Sequence, residues 1–464
     1  MTSTLENHID TFRTTFNGTV LTIGEPEYDT ARSVWNGEID RKPAVIAQCI
    51  NASDVAAAIA FGRDQGLPIS VRGGGHAFSG TAVCEAGVMI DLSRMNTITV
   101  DPETRRARCG GGSTWAQLDA ATQQHNLATP GGTISHTGVG GLTLGGGFGW
   151  LTGRAGLSCD NLVSAELVTA DGRIVQASAT EHPDLFWAIR GGGGNFGVAT
   201  TLEFRLHDVG PFVHLGLFFW PLEQGAEALR IARQAVADLP PSTGVLIASL
   251  NAPPAPFVPE EHQFRPGYAL MVSGFGTAEE HARLIDPIRA ALPPLFELVT
   301  PLPYVALQQM LDEAAPWGIL AYEKAHYLND ISDAAIDVIT DHMPKKNSPM
   351  SIVPIFPMRG AFHSVPDDAT AFGGGRAMKY VFNIGALAPT QELLDADRAW
   401  VRGFWEGLRP HAAGAGTYVN FMAEYEDDRV RAAYGPAKYT RLAAIKRTYD
   451  PDNIFRGGAN IKPA

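Results

Sequence analysis

The chain has 464 residues, 45% of them hydrophobic, with 50 glycines, 31 prolines and a formal net charge of −13. That length suffices for two domains with large cores. The acidic balance, with no Lys/Arg-rich run, argues against nucleic acid or an anionic membrane as partner, because both would be repelled.

The opening Met-Thr-Ser-Thr-Leu-Glu-Asn-His has no basic or apolar leader, and no stretch offers about 18 uninterrupted apolar residues, so a cytoplasmic protein is expected. Cys49, Cys84, Cys109 and Cys159 form no Cys-x-x-Cys pair and read as reduced, buried residues. Asn17-Gly-Thr19 and Asn51-Ala-Ser53 match the glycosylation acceptor, but without a leader they read as ordinary surface.

In chain order, a short helix is expected at Thr30 to Trp35, then a strand at Ala44 to Cys49. A helix capped by Ser53 runs to Gly66, and a strand follows at Ile69 to Val71, a β-α-β start. Strands follow at Val88–Leu92, Thr97–Val100 and Arg105–Cys109, then a helix from Thr114 to His125 opening on Ser113. The glycine-rich 131–150 reads as irregular wrapping. Leu162–Thr169 and Arg173–Gln176 flank the hairpin signal Ala170-Asp171-Gly172, Glu181–Arg190 is a helix and Val198–His207 a strand. After Pro211 the texture changes. Strands are expected at Val213–Trp220, Val245–Leu250, Tyr268–Phe275, Phe296–Thr300, 350–356 and 378–385, with helices at 222–238, 277–291, 303–313, 331–343 and 391–408. This is an antiparallel sheet covered by helices. A strand at Thr417–Phe421 and helices at 428–434 and 436–448 close the chain.

Pro68 to Gly80 carries the chemistry. Gly73, Gly74 and Gly75 let successive amides converge on an anion without lysine, which suits a phosphate or diphosphate. His76, at the end of that nest, supplies a nucleophile for an electrophilic cofactor. Gly131–Trp150 and Gly191–Val198 are further glycine runs. Gly192-x-Gly194-x-x-Gly197 fits the dinucleotide pattern but follows a helix and precedes a strand, the reverse of what that fold needs. No P-loop, His-Glu-x-x-His or Gly-x-Ser-x-Gly occurs, and the histidines form no metal-spaced cluster, so no metal is expected.

These runs, with Asp160-Asn161, Tyr418-Val-Asn420 and Tyr449-Asp-Pro-Asp-Asn-Ile-Phe455, resemble the berberine-bridge-enzyme-like branch of the FAD-linked, vanillyl-alcohol-oxidase superfamily over nearly the whole chain. The bacterial members are the most similar. The resemblance implies an α+β fold, a two-part PCMH-type FAD-binding domain (1–209, core 40–209, and 410–464) with an inserted substrate domain at 210–409. It implies FAD bound covalently through His76 to the 8α carbon, with no cysteinyl link because Ile134 stands at that position.

By the same resemblance the Arg72 to His76 backbone cradles the diphosphate, and Ser79 and Gly80 belong to the cofactor-binding set. Gly138, Gly140 and Gly141 approach the flavin, and Thr143, Gly146, Gly147 and Phe148 border its diphosphate and ribityl chain. Asn161 belongs to the shared pattern, Gly194 to Val198 approach the adenosine, and Asn420 meets the isoalloxazine. Thr137, small where the dehydrogenases carry leucine, favours an oxidase. Tyr418 is the leading proton acceptor, with His363, Tyr322 and Lys324 behind it, since Ser351 to Gly360 offers no carboxylate.

The expected function is oxidation of a small or medium apolar or aromatic alcohol, amine or polyketide-like metabolite by hydride transfer, with O2 as acceptor. Phe218, Phe219, Trp220, Phe356 and Phe362 are candidate wall residues. The alternatives are a dehydrogenase using another acceptor and a flavin-binding protein without turnover. The chain is expected to be a monomer or homodimer.

Overall fold

The structure, a computed structural model, describes residues 2–414 and 416–464. The fold is α+β, with four sheets whose strands come from successive parts of the chain. Val45–Gln48 and Ile69–Arg72 both run parallel to Val88–Asp91, joined by the crossover helix Ala52–Asp64, and Thr19–Leu21 adds an antiparallel edge. A parallel pair needs such a crossover, and these strands are apolar on both faces because they are buried on both. The second sheet is antiparallel, in the order Ile98–Asp101, Arg106–Gly110, Val198–Arg205, Leu162–Val168, Ile174–Ser178. A two-stranded ribbon, Leu127–Ala128 with His207–Asp208, lies beside it.

The fourth and largest sheet has seven antiparallel strands, ordered Phe296–Pro303, Phe212–Pro221, Pro266–Gly274, Gly244–Asn251, Val353–Pro357, Tyr380–Ala388, Leu320–Leu328. Its two faces are separated by the period-two alternation of each strand. Phe218, Trp220, Leu270, Ile355 and Phe382 pack under the helices Gly225–Asp238, Asp333–His342 and Gln391–Leu408. Leu215, Leu217, Phe219, Met271, Phe356 and Val381 point the other way, onto Phe148, Trp150, Leu157 and Tyr418. The second face thus covers the glycine-rich segment.

The C-terminal helix Asp427–Tyr449 breaks at Gly435 (φ 74°), before Pro436, and returns Tyr434, Tyr439 and Leu442 to the core built from residues 107–206. Lys446, fully buried, donates to the carbonyls of Asn195 and Phe455 and pairs with Asp450, whose carboxylate also accepts from the amides of Ile454 and Phe455. That is the work of the Tyr-Asp-Pro-Asp-Asn segment. It locks the chain end onto the turn Gly193–Phe196.

Several expectations need correction. Thr417–Phe421 is no strand but an extended lead into a 3-10 turn at Val419–Phe421. Gly131–Trp150 is not wholly irregular, since Val139–Leu144 is helical. Asn51 rather than Ser53 caps the Ala52–Asp64 helix, accepting from the Asp54 amide, and Thr114 rather than Ser113 opens the Trp115–Gln123 helix through a capping box with Gln117. The first short helix lies at Tyr28–Arg32. Among the elements with no counterpart in the sequence reading are the helix Thr2–Thr15 and the strand Leu320–Leu328. The latter carries Glu323, Lys324 and His326, all buried, each with a hydrogen-bond partner distant in sequence, although one Glu323 oxygen is left without one.

Candidate active site

A cleft of about 370 Å³ opens between the glycine-rich segments and the seven-stranded sheet. Its walls come from Gly73–Phe78, Gly132–Leu144, Gly193–Ala199, Tyr418–Tyr425 and Phe455–Ala459. Two loops cross at its floor. A Cβ built on Gly74 would lie 2.2 Å from the Gly138 nitrogen, and one built on Gly138 would lie 2.4 Å from the Gly74 nitrogen. Only hydrogen fits at either position, so backbone meets backbone there.

Among the described residues, the amides of Gly74, Gly75, His76 and Ala77 find no carbonyl or side-chain acceptor. These residues are buried or half-buried, and four consecutive free amides bordering a cleft offer a set of donors that suits an anion. Ser70, 5% exposed and lining the same cleft, has a hydroxyl without a partner. The donor set fits a diphosphate, and with the apolar walls it fits the cofactor that the glycine runs imply.

His76 lines the cleft beside this nest. Its Nε2 lies 3.0 Å from Nδ1 of His136, and Trp35 stacks on its ring at 4.5 Å with 17° between planes. Burial, then the neighbouring His136, pushes its pKa down to about 3, so the ring is a neutral imidazole. His136 itself was not singled out by the sequence reading. It sits inside a glycine-rich run with nothing to mark its contact 60 residues away.

Tyr418 is 3% exposed, and its oxygen accepts from the Gly147 amide and from Asn420 Nδ2, both at 2.8 Å. Burial raises its pKa, outweighing those two donors, which makes it a held phenol rather than a phenolate. Asn420 also donates to the Leu142 carbonyl at 3.0 Å and so ties Tyr418 to the Val139–Leu144 helix. Phe148, Phe356, Phe421 and Tyr425 complete this end of the cleft.

Thr137, Gly138, Gly140, Gly141, Phe148, Gly194, Val198 and Asn420 all line the cleft, as does Ile134. Other expected contacts stand behind its wall. The Arg72 side chain turns away to the Ala31 carbonyl and to Asp91. Ser79 donates to the Tyr425 hydroxyl at 3.1 Å, and Gly80 closes a turn on Ala77. Thr143 is buried with its hydroxyl unpartnered, and Gly146 and Gly147 pack against Phe372 and Ser158. Asn161 is spent on the carbonyls of Ala155 and Leu157 and on His207.

The weaker proton-acceptor candidates are displaced. His363 has both ring nitrogens on backbone carbonyls, those of Arg376 and Met358, and does not line the cleft. Tyr322 and Lys324 occupy the helix-covered face of their strand, in a polar cluster with Glu424 and Arg402. Of the aromatic candidates only Phe356 reaches the cleft, while Phe218, Phe219, Trp220 and Phe362 are core.

One carboxyl escaped the sequence reading. Glu323 is 1% exposed and lies on the opposite face of the same strand, the one turned to the cleft. Asn383 Nδ2 donates to its Oε2 at 2.7 Å, its Oε1 has no partner, and burial raises its pKa well above the usual range.

Comparison with known proteins agrees with this geometry. Residues 43–178 match the family described as "FAD binding domain" and residues 417–462 the one described as "Berberine and berberine like". An FAD-linked oxidoreductase of Dictyostelium discoideum is 30% identical over 461 residues, covering 98% of this chain and 97% of the relative. The (R)-6-hydroxynicotine oxidase of Paenarthrobacter nicotinovorans is 30% identical over 472 residues, covering 96% and 97%. The crystal structure of 6-hydroxy-D-nicotine oxidase from Arthrobacter nicotinovorans superposes with a TM-score of 0.85 at 27% identity, over 97% of this chain and 99% of that one. Glucooligosaccharide oxidase of Acremonium strictum, whose FAD is 6-S-cysteinyl and 8α-N1-histidyl, shares the fold with a TM-score of 0.86 at 23% identity, over 99% and 100%. The chain is an enzyme of the FAD-linked oxidoreductases, in their berberine-bridge-enzyme-like branch.

Proposed function

We propose that this enzyme is a flavin oxidase carrying FAD tethered to His76 alone, and that it dehydrogenates a small or medium apolar or aromatic alcohol, amine or polyketide-like metabolite. The observation that carries the reading is the run of free amides at Gly74 to Ala77 ending on a neutral imidazole in one cleft. Those amides would hold the diphosphate, and Gly138, Gly140 and Gly141 would let the backbone come flat against the ring system. Isoleucine at position 134 has no sulfur for a second link.

Bound FAD supplies the hydride acceptor and hands the electrons to dioxygen, giving hydrogen peroxide. The protein supplies position and polarity. Tyr418 keeps its proton and, with its oxygen fixed by Gly147 and Asn420, presents an O–H to a substrate oxygen or nitrogen. Phe148, Phe356 and Phe421 offer ring faces and exclude water, which favours an aromatic or apolar body over a sugar. Thr137 leaves room for dioxygen at the wall it shares with Gly138.

The test is direct. Purified protein should be yellow and keep its flavin in the pellet after acid precipitation, whereas His76→Ala should release it. An anaerobic panel of aromatic alcohols and amines should bleach the flavin absorbance, with air restoring it within seconds. Bleaching reversed only by a quinone would make the protein a dehydrogenase. A colourless protein would sink the reading altogether.

A further inference from the structure

The geometry points to residues Phe421 to Glu426 as a strap across the ring-lined end of the cleft, with Glu424 as the positioning residue that latches it shut and releases it to pass substrate and product. The inference rests on the reading that substrate meets the flavin in this cleft. Phe421 and Tyr425, near the two ends of the strap, both line the cleft. Among the described residues, no backbone hydrogen bond involves Met422 to Tyr425. The 3-10 turn before them ends with the Phe421 amide on the Tyr418 carbonyl, and the helix after them begins with the Val430 amide on the Glu426 carbonyl. A stretch without backbone bonds opens readily unless side chains hold it.

Three side chains hold this one. Met422 is buried in the core that also contains Tyr434 and Leu442, and the Tyr425 hydroxyl accepts from Ser79 at 3.1 Å. Glu424 reaches round the sheet. Leu320–Leu328 is an edge strand, and the returning chain follows its free side, with the Ala413 amide on the Tyr327 carbonyl at 2.6 Å and the Thr417 hydroxyl on the Ala325 carbonyl at 3.0 Å. Beyond these bonds Glu424 accepts from Lys324 and Arg402, each at 3.1 Å, and from the Tyr322 hydroxyl at 3.3 Å, with Arg429 at 3.6 Å. Its three cations sit on three elements, the edge strand and the helices Gln391–Leu408 and Asp427–Tyr449. Glu424 thus grips the helix-covered side of the sheet edge while Tyr425, the next residue, faces the cleft.

The latch is built to let go. Each cation keeps a partner when Glu424 leaves, so none is stranded. Lys324 stays over the Trp405 ring at 4.9 Å, Arg402 stays on the Tyr322 hydroxyl at 3.2 Å, and Arg429 stays paired with Glu426 at 3.2 Å. Glu424, its side chain already 35% exposed, passes into water. Pairs as exposed as these are weakened by salt, whereas the burial of Met422 is not.

Hydrogen exchange read by mass spectrometry on the purified enzyme tests the latch without any substrate. Peptides covering 419–426 should exchange about threefold faster or more in Glu424→Gln than in wild type, while the strand Leu162–Val168 keeps its rate. Equal rates at 419–426 in the two proteins, or the same acceleration at Leu162–Val168, overturn the proposal. A second comparison needs no variant to fold. In wild type the same peptides should exchange faster in about 1 M than in about 20 mM NaCl, and equal rates at both salts overturn the latch. Passage is read anaerobically with 1-benzyl-1,4-dihydronicotinamide, an uncharged aromatic hydride donor. It should bleach the bound flavin about threefold faster or more in Glu424→Gln, since an unlatched strap is open for more of the time. Equal bleaching rates overturn the strap as a gate. A colourless wild type removes the flavin reading, while the exchange comparison still decides the latch.

Discussion

Glu323 shows how much a single side chain can say when its partners are counted. A carboxyl buried with one oxygen on Asn383 and the other on nothing stays protonated, because ionising it there would leave a charge with no cation beside it. Its folded pKa is raised, so the stability that it lends is present below the ordinary glutamate range and is lost as pH rises from there toward the raised value. Glu323→Gln keeps the acceptor for Asn383 and removes the titration. Thermal melts from pH 5 to pH 8 should therefore fall less steeply in the variant than in wild type, with the two closest at pH 5.

At the scale of the element, the site is made by two glycine-rich loops held at backbone contact. Gly138→Ala would force a methyl to 2.4 Å from the Gly74 nitrogen, an overpacking against rigid backbone that costs more than the ~1–3 kcal/mol usual for cores. That variant should lose thermal stability and flavin together. Gly141 is the contrast, since nothing lies within 4 Å of a Cβ there and the residue sits in a helix. Gly141→Ala should fold at least as well, alanine being ~1 kcal/mol the better helix former, yet bind less flavin because its methyl enters the cleft. Melting temperature and the ratio of flavin to protein absorbance, read on both variants, separate the two effects. The glycine runs were visible in the sequence and so was the need for close approach. Which glycine meets which was not, because the contact joins positions 74 and 138.

Across the whole molecule, the seven-stranded sheet is fastened to the glycine-rich part by a buried ion pair. Arg376 meets both oxygens of Asp160 at 2.7 and 2.8 Å, with both side chains nearly inaccessible. Removing one partner strands the other, so Arg376→Met should lower unfolding free energy by about 3–5 kcal/mol, and Asp160→Leu added to it should recover much of that loss. Urea unfolding of the single and double variants measures both. Sequence alone determined the element order through most of the chain, since periods of 2 and 3.6 survive wherever one face is buried and the other wet, and it determined the glycine cradle with His76 at its end, since only that residue pattern lets amides converge. Tertiary structure decided the rest. Leu320–Leu328 carries polar residues on both faces, which erases the period and hides which of Tyr322, Glu323 and Lys324 turns to the cleft, and only folding brings His136 to His76.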